Sequence, residues 1–286
     1  MAKPEVLSEH ACCGGIQRFY QHHSTEIGLP MRFSAYLPPQ AAFGKVPALI
    51  YLAGLTCTEE TFMIKSGAQR IAAELGLALI APDTSPRGAG IAGETESWDF
   101  GVGAGFYLDA TEAPWSTRYR MESYLVAELI PLVTHELAID AQRLGVFGHS
   151  MGGHGALTLS LRHPGLFKSV SAFAPVCAPM QCPWGQKAFA GYLGADKTLW
   201  SNHDASVLMS TCIEAPYPEG ILIDQGLADK FLSEQLHPQL FEKACAKAGQ
   251  PLTLRRHAAY DHGYYFISTF IADHLAHHAR ILRGVQ

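Results

Sequence analysis

Residues 144–153 read LGVFGHSMGG, and this stretch decides the fold. Its first four residues predict a short buried strand. They run into Gly148-His149-Ser150-Met151-Gly152, which matches the pattern G-x-S-x-G, a sharp turn between a strand and a helix. Small residues are needed on both sides of the serine because larger side chains would collide where the backbone turns. A helix is predicted next, over residues 155–162, so we expect Ser150 to be an exposed nucleophile and not part of a plain connecting turn.

Strands and helices alternate along the chain on both sides of this turn. Strands are predicted over residues 31–37, 48–52, 77–81, 144–147, 169–173, 221–224 and 252–257. Helices are predicted over residues 58–75, 121–137, 155–162, 232–248 and 264–282. Strands regularly separated by helices indicate an α/β fold with a mostly parallel sheet covered on both faces. We expect one such domain to use residues 1–286.

Two stretches interrupt the alternation and are predicted to be insertions over the sheet. Residues 83–120 combine glycines with aromatic residues such as Trp98, and residues 175–211 carry Trp184. Long loops within a compact domain are usually functional, so these segments are expected to wall a binding cleft. The alternative is that they pack on each other as a small satellite core.

A serine needs a base that takes its proton, and the base lies in a loop beyond the carboxyl end of a strand. His262 follows the last predicted strand and precedes the last helix, which is the expected place. His257 is the runner-up, although it still lies in the strand. Most of the other histidines belong to helices. We therefore predict His262 as the general base.

The base must in turn be held by an acid, which precedes it in chain order. Asp224 and Asp229 both follow one predicted strand. Asp224 sits at the strand end, where we expect it to accept hydrogen bonds from backbone amides of the turn. Asp229 lies past a glycine turn and can reach over the sheet toward His262. Asp261 adjoins His262, and neighbouring side chains point apart, so Asp229 is favoured.

Acyl transfer also requires amide donors for a developing oxyanion. One is expected from Met151, directly after the nucleophile, and another from the loop that follows the strand at residues 48–52. Gly54 in that loop allows the backbone to turn so that the Leu55 amide faces inward. Cys57 lies three residues past Gly54, which places its thiol near Ser150; a small buried hydrophobic role is the alternative.

Composition excludes several classes of function. Hydrophobic residues make up 48% of the chain and charged residues 16%, which supports a large core. The net charge is −5 and the basic residues are scattered, so no nucleic-acid partner is expected. The apolar runs are too short to cross a membrane, and the first nine residues lack a secretory core, so a cytoplasmic protein is expected. Seven cysteines without C-x-x-C predict reduced thiols and no metal site.

Several long blocks together resemble one family. They are residues 55–62 (LTCTEETF), 82–88 (PDTSPRG), 148–157 (GHSMGGHGAL), 183–189 (PWGQKAF) and 260–266 (YDHGYYF). These blocks look like the S-formylglutathione hydrolase, or esterase D, family, and the match extends over nearly the whole chain. The sequence departs from the family at Ala53 and Gly263, where members commonly have serine, which affects local hydrogen bonds and not the three catalytic positions.

The resemblance implies an α/β-hydrolase fold with a Ser150, Asp229 and His262 triad, and with Leu55 and Met151 as oxyanion donors. It implies no cofactor or metal. The implied substrate is a glutathione thioester, S-formylglutathione, which is made during formaldehyde detoxification, and the implied assembly is a homodimer.

Two rival functions stay open at this point. One is a broad carboxylesterase or an acyltransferase of the same fold, which acyl-chain preference would distinguish. The other is a binding protein that has lost catalysis, although the complete set of catalytic residues speaks against it. The residues that bind the substrate are less well defined. Trp98, Trp184 and Lys187 are candidates, and Lys65 and Arg118 are alternatives to Lys187 for the glutathione carboxylates.

Overall fold

Nine strands form one sheet in the computed structural model, which describes residues 3–284. The strands are β1 Glu5–Cys12, β2 Gly15–His23, β3 Pro30–Leu37, β4 Val46–Leu52, β5 Ala78–Pro82, β6 Ile139–His149, β7 Ser169–Phe173, β8 Ile221–Gly226 and β9 Leu252–His257. Their spatial order is β1-β2-β3-β5-β4-β6-β7-β8-β9. The six strands β4 to β9 are parallel, and β1, β2 and β3 extend the sheet in antiparallel pairing.

Helices cover this sheet. They are α1 Glu59–Lys65, α2 Ala68–Leu75, α3 Met121–Ser123, α4 Ile130–Glu136, α5 Met151–Arg162, α6 Pro183–Leu193, α7 Lys197–Trp200, α8 Ala205–Thr211, α9 Pro238–Ala248 and α10 Tyr264–Arg283. π-helical segments cover Tyr124–Leu129 and Leu232–Leu236, and short 3-10 turns cover Pro39–Ala42, Trp115–Thr117, Pro179–Gln181 and Ser201–His203. The predicted α/β fold is confirmed.

The central strands are continuous apolar runs because both faces of the sheet are covered. Every residue of β5 and of β7 is buried, as are the last five residues of β4. Buried parallel strands have this composition, whereas half-exposed strands alternate. These buried strands include β4 and β7, the neighbours of β6, so the strand that leads to Ser150 lies in the middle of the core.

The sequence pattern does not predict the first two strands, β1 and β2. β1 is exposed along most of its length and lacks an apolar face, so periodicity carries no signal for it. Its backbone pairing with β2 holds it in the sheet.

Two of the predicted helices are each divided into two segments, so their prediction as continuous helices was wrong. Residues 58–75 form α1 and α2, which are separated at Gly67, a residue with a left-handed φ of 69°. Residues 232–248 are interrupted at His237, also left-handed, and Pro238 begins α9 because its missing N–H is not needed in the first turn. The helix predicted to begin at residue 155 begins at Met151, directly after the serine. Residues 175–211 are not a loop, because they contain α6, α7 and α8.

Candidate active site

Ser150 occupies the turn between β6 and α5, with the backbone angles φ 58° and ψ −118°. Its N–H donates to the Phe173 carbonyl at 3.0 Å. A Cβ on Gly148 would collide with the carbonyl of Gly152, and a Cβ on Gly152 would collide with the carbonyl of Leu52. The glycines of the pattern are therefore required by close backbone packing, which supports the strained serine conformation.

Asp229 and His262 meet above the carboxyl ends of β8 and β9. His262 Nδ1 lies 2.5 Å from Asp229 Oδ2, within strong hydrogen-bond distance. The other carboxylate oxygen accepts the Phe231 N–H at 2.9 Å, and Gln225 donates to Oδ2 at 3.3 Å. The Asp229 side chain is fully buried, while that of His262 is 16% exposed. This geometry fixes the orientation of the imidazole and leaves Nε2 on the accessible side.

Ser150 and His262 line one cavity of about 240 Å³. The other lining residues are Gly54, Leu55, Cys57, Thr61, Lys65, Trp98, His149, Trp184, Phe231 and Tyr264. Ser150 and His262 do not form a hydrogen bond with each other in the described part of the chain. Such contacts are often long in a free enzyme and tighten when substrate binds. A larger cavity of about 810 Å³ is lined by residues such as Ser160, Pro216 and Arg280. Its lining does not include Ser150, Asp229 or His262.

The loop after β4 approaches the serine closely. A Cβ on Gly54 would lie 3.2 Å from both the Ser150 Cβ and the His149 Nδ1. Gly54 therefore allows this close approach, and the left-handed residue of the loop is Thr56, with φ 68°. Leu55 lines the cavity, and Met151 is the first residue of α5, whose N–H has no acceptor within its own helix.

The two inserted segments form the cavity wall and also pack on each other. The rings of Trp98 and Trp184 meet edge to face at 5.6 Å, and Trp184 lies 4.7 Å from Phe231. Away from the cavity, Phe100 stacks on Tyr192 at 4.5 Å. The cleft-wall and satellite-core interpretations therefore both describe these segments.

The three candidate cations have different surroundings. The ammonium of Lys187 pairs with Asp99 and donates to Ser97 at 2.6 Å, and Lys187 does not line the cavity. It links α6, which carries Trp184, to the residues on either side of Trp98. Arg118 donates to the carbonyls of Ile27 and Gly28 at 2.9 Å. Lys65 alone of the three lines the cavity.

Cys57 lines the same cavity, as expected from its position in the loop. Burial raises the pKa of its thiol above the ordinary value, although hydrogen bonding to Thr61 and the charge of Lys65 act in the opposite direction. The thiol is accessible yet weakly ionised at neutral pH, so reagents should modify it slowly.

His149 is a site residue that sequence reasoning missed. Its ring lies 4.4 Å from that of His262 and is 6% exposed. Burial, followed by the neighbouring His262, lowers the pKa of His149 well below the ordinary value, so it is neutral. Its position immediately before the serine was the available signal.

The expectation for Asp224 was wrong. Its carboxylate does not cap the turn but binds the Arg255 guanidinium at 2.6 and 2.5 Å. His257, the runner-up base, lies 3.2 Å from Asp224. Arg255 and His257 lie on β9 beside β8, and sequence separation hid this contact.

Within residues 3–284, no three His, Cys, Asp or Glu side chains are grouped so that they could hold a metal ion. In the same part of the chain, none of the helices is both long and apolar enough to cross a bilayer.

Comparison with known proteins identifies the family. The "Putative esterase" family model matches residues 24–277. S-formylglutathione hydrolase of Mus musculus is 54% identical over 282 residues, which cover 97% of this chain and 98% of the relative. The enzyme of the same name from Paracoccus denitrificans (strain Pd 1222) is 51% identical, with the same coverage.

A solved structure agrees with these relatives. The S-formylglutathione hydrolase structure from Agrobacterium tumefaciens superimposes with a TM-score of 0.94 at 47% identity, covering 97% of this chain and 99% of that one. The chain therefore belongs to the S-formylglutathione hydrolase family of esterases.

Proposed function

We propose that this protein is a serine hydrolase that cleaves the thioester S-formylglutathione to glutathione and formate, with Ser150, His262 and Asp229 as its triad. The observation that carries the proposal is the 2.5 Å contact between His262 and Asp229 in the cavity that also contains Ser150. Relatives at 51–54% identity that bear this activity in their names support the substrate.

In the first half of the reaction, His262 Nε2 accepts the Ser150 proton as Oγ attacks the formyl carbonyl. The amides of Leu55 and Met151 donate to the oxyanion that forms. Asp229 stays ionised, holds Nδ1–H and stabilises the imidazolium. The tetrahedral intermediate then collapses and the carbon–sulfur bond breaks. The imidazolium gives its proton to the departing sulfur, so glutathione leaves as a thiol and His262 is again neutral.

The thiol leaving group needs less help from His262 as a general acid. A thiol with a pKa of about 8.5 departs more readily than an amine, so less protonation is needed than in a peptidase. In the second half, water gives a proton to His262 and attacks the formyl-serine ester. Formate leaves and Ser150 recovers its proton. The reaction consumes only water, so no cofactor or metal is proposed.

The size of the cavity and the position of Lys65 support the proposed substrate. The cavity volume of about 240 Å³ is small, and the indole of Trp184, 5% exposed, closes one side. Lys65 Nζ lies 5.7 Å from the Tyr264 ring centroid, and no Asp or Glu is among the described residues that line the cavity with it. Glutathione carries two carboxylates, so we propose that Lys65 attracts one of them and that Trp98 and Trp184 contact the thioester. Lys187 then does not bind the substrate but holds the segment that carries Trp98, through its contacts with Ser97 and Asp99.

The substrate series tests this function. Attraction alone discriminates one methylene by only about 1–3 kcal/mol, so strong formyl preference must come from steric exclusion. We expect kcat/KM to fall steeply from S-formylglutathione to S-acetylglutathione and longer acyl chains. We also expect a lower kcat/KM for formyl esters of small thiols, because they lack the remote binding energy of glutathione. The variant Ser150→Ala measures the background hydrolysis of each substrate. A flat or rising trend with acyl length would instead indicate a broad carboxylesterase.

We further propose that the protein is a single-domain homodimer of the cytoplasm, acting in formaldehyde detoxification. Glutathione as substrate and seven free cysteines fit a reducing compartment. Light scattering of the purified chain tests the assembly.

A further inference from the structure

The turn between β1 and β2 carries two adjacent cysteines. Cys12 pairs with Gly15 across the hairpin, and Cys13 and Gly14 form the two-residue loop. Their φ angles are 49° and 75°, both left-handed. Two-residue hairpin loops with positive φ at both positions ordinarily carry Asn, Asp or Gly, so cysteine here is an unusual choice for the turn alone.

The two thiols face each other. Cys12 Sγ and Cys13 Sγ are 3.8 Å apart, Cys13 is exposed and Cys12 is partly exposed. The Tyr36 hydroxyl donates to the Cys13 carbonyl at 3.4 Å, which fixes the tip of the hairpin against β3. By contrast, Cys177, Cys182 and Cys245 are buried.

The sulfur separation suits a shared ligand. The two sulfurs are 3.8 Å apart, and a pyramidal trivalent centre, whose bond angles are smaller than tetrahedral, holds its two sulfurs slightly closer than this, so the thiols need to approach only a little to share it. A disulfide would require ~2.05 Å. Zinc normally takes four protein ligands at a structural site, and within residues 3–284 no three His, Cys, Asp or Glu side chains are placed so that they could hold a metal ion. The pair therefore suits a centre that two thiolates satisfy.

We propose that Cys12 and Cys13 form a bidentate dithiol site for a thiophilic centre of the trivalent arsenic class. With an organic arsenic(III) oxide, each thiol loses its proton and forms one arsenic–sulfur bond. The two protons leave with the oxide oxygen as one water molecule, and no oxidation state changes. The preformed hairpin reduces the cost of bringing the two sulfurs together.

The dithiol site lies away from the catalytic edge of the sheet. Ile16, beside the hairpin tip, pairs with Leu37 at the end of β3, whereas Phe33 of β3 pairs with Pro82 at the carboxyl end of β5. Ser150 follows the carboxyl end of β6, so the hairpin tip is at the opposite end of the strands. Occupancy of the dithiol site should leave hydrolysis unchanged.

Phenylarsine oxide is the probe that tests the site. On the full-length reduced protein, native mass spectrometry should show one phenylarsenic adduct that persists in excess glutathione and is removed by dithiothreitol. Cys12→Ser and Cys13→Asn should each weaken binding by at least about 100-fold, the gain expected from a second linked contact. Asparagine suits the left-handed turn, so Cys13→Asn keeps the hairpin.

Cys57→Ser and Cys212→Ser are the matched controls and should keep the glutathione-resistant adduct. Melting temperatures of all four variants verify folding. A resistant adduct that survives in Cys13→Asn, or a wild-type adduct that excess glutathione displaces, would overturn the proposal.

Discussion

Two aspartates on either side of the end of β8 each bind histidine, yet their surroundings differ. Asp224 lies within β8 and contacts His257 at 3.2 Å and His274 at 3.3 Å. Asp229 lies five residues later and contacts His262 at 2.5 Å. Both carboxylates are fully buried, so burial does not separate them.

The Asp224 carboxylate and the His274 ring are both fully used by hydrogen bonds. Arg255 binds both carboxylate oxygens. His274 uses its second nitrogen on Ser171 at 2.8 Å, and Ser171 continues to His278 at 2.8 Å. These contacts join β7, β8, β9 and α10, and they leave His274 no free nitrogen. The cluster therefore holds the sheet to its last helix.

The Asp229 pair keeps one nitrogen free. His262 binds Asp229 through Nδ1 and presents its other edge to the cavity that contains Ser150. A carboxylate beside an imidazole is thus insufficient for general base catalysis, because the imidazole also needs an unused nitrogen near a nucleophile.

Removing the nucleophile or the base should have the largest effect. We expect Ser150→Ala and His262→Ala each to lower kcat by roughly 10⁶-fold, and the double variant to be no worse than either, since the two groups act as one unit. Turnover of S-formylglutathione by purified, folded variants measures this. Near-normal activity of either variant would remove that residue from the triad.

Exchanging each aspartate tests the comparison directly. Asp229→Asn should lower kcat by roughly 10⁴-fold, because it removes the charge that supports the imidazolium. Asp224→Asn should leave kcat per folded molecule unchanged but lower the free energy of unfolding by roughly 3 kcal/mol, because Arg255 loses its buried partner. Paired kinetics and urea unfolding decide this, and a crippled but stable Asp224→Asn would reverse the assignment.

Acid should weaken the Asp224 cluster. Burial would raise the pKa of Asp224, but hydrogen bonds from Arg255, His274 and His257 outweigh it and the net pKa is lowered. The stability from this group is present above the unfolded pKa of about 4 and is lost as pH falls through the lower folded value.

Burial also lowers the pKa of His274, and it lowers that of His154 to about 4. Below a pH of about 6.5 these histidines take up protons in the unfolded chain before they do so in the folded protein. The free energy of unfolding therefore decreases as the pH is lowered below this value. The His154 shift corresponds to roughly 3 kcal/mol. Urea midpoints from pH 7 to pH 4 should fall steadily, and constant midpoints would contradict these directions.

The substitution Cys57→Ser should give the smallest effect on turnover. A bulky thiol reagent is expected to block the cavity that Cys57 lines, at a slow rate because the thiol pKa is raised. Cys57→Ser should stay active and resist the reagent, while Cys13→Ser should stay active and sensitive. Equal sensitivity of Cys57→Ser and the wild type would place the responsive thiol elsewhere.

Local pattern was sufficient for much of the fold and for three candidate positions. The strand, glycine turn and helix around Ser150 are encoded in ten consecutive residues, and chain order selects His262 and Asp229. The exposed strand β1 and the breaks at Gly67 and His237 carry no comparable periodic signal.

The sequence by itself determined the elements and the kinds of reactive groups, because periodicity and turn chemistry act over a few residues. Only the tertiary structure decided which partners those groups meet. Asp224 is held by Arg255, 31 residues away, and Lys187 is directed to Asp99, 88 residues away, while Lys65 reaches the cavity. Such contacts depend on strand order and packing across the whole sheet, which no local pattern records.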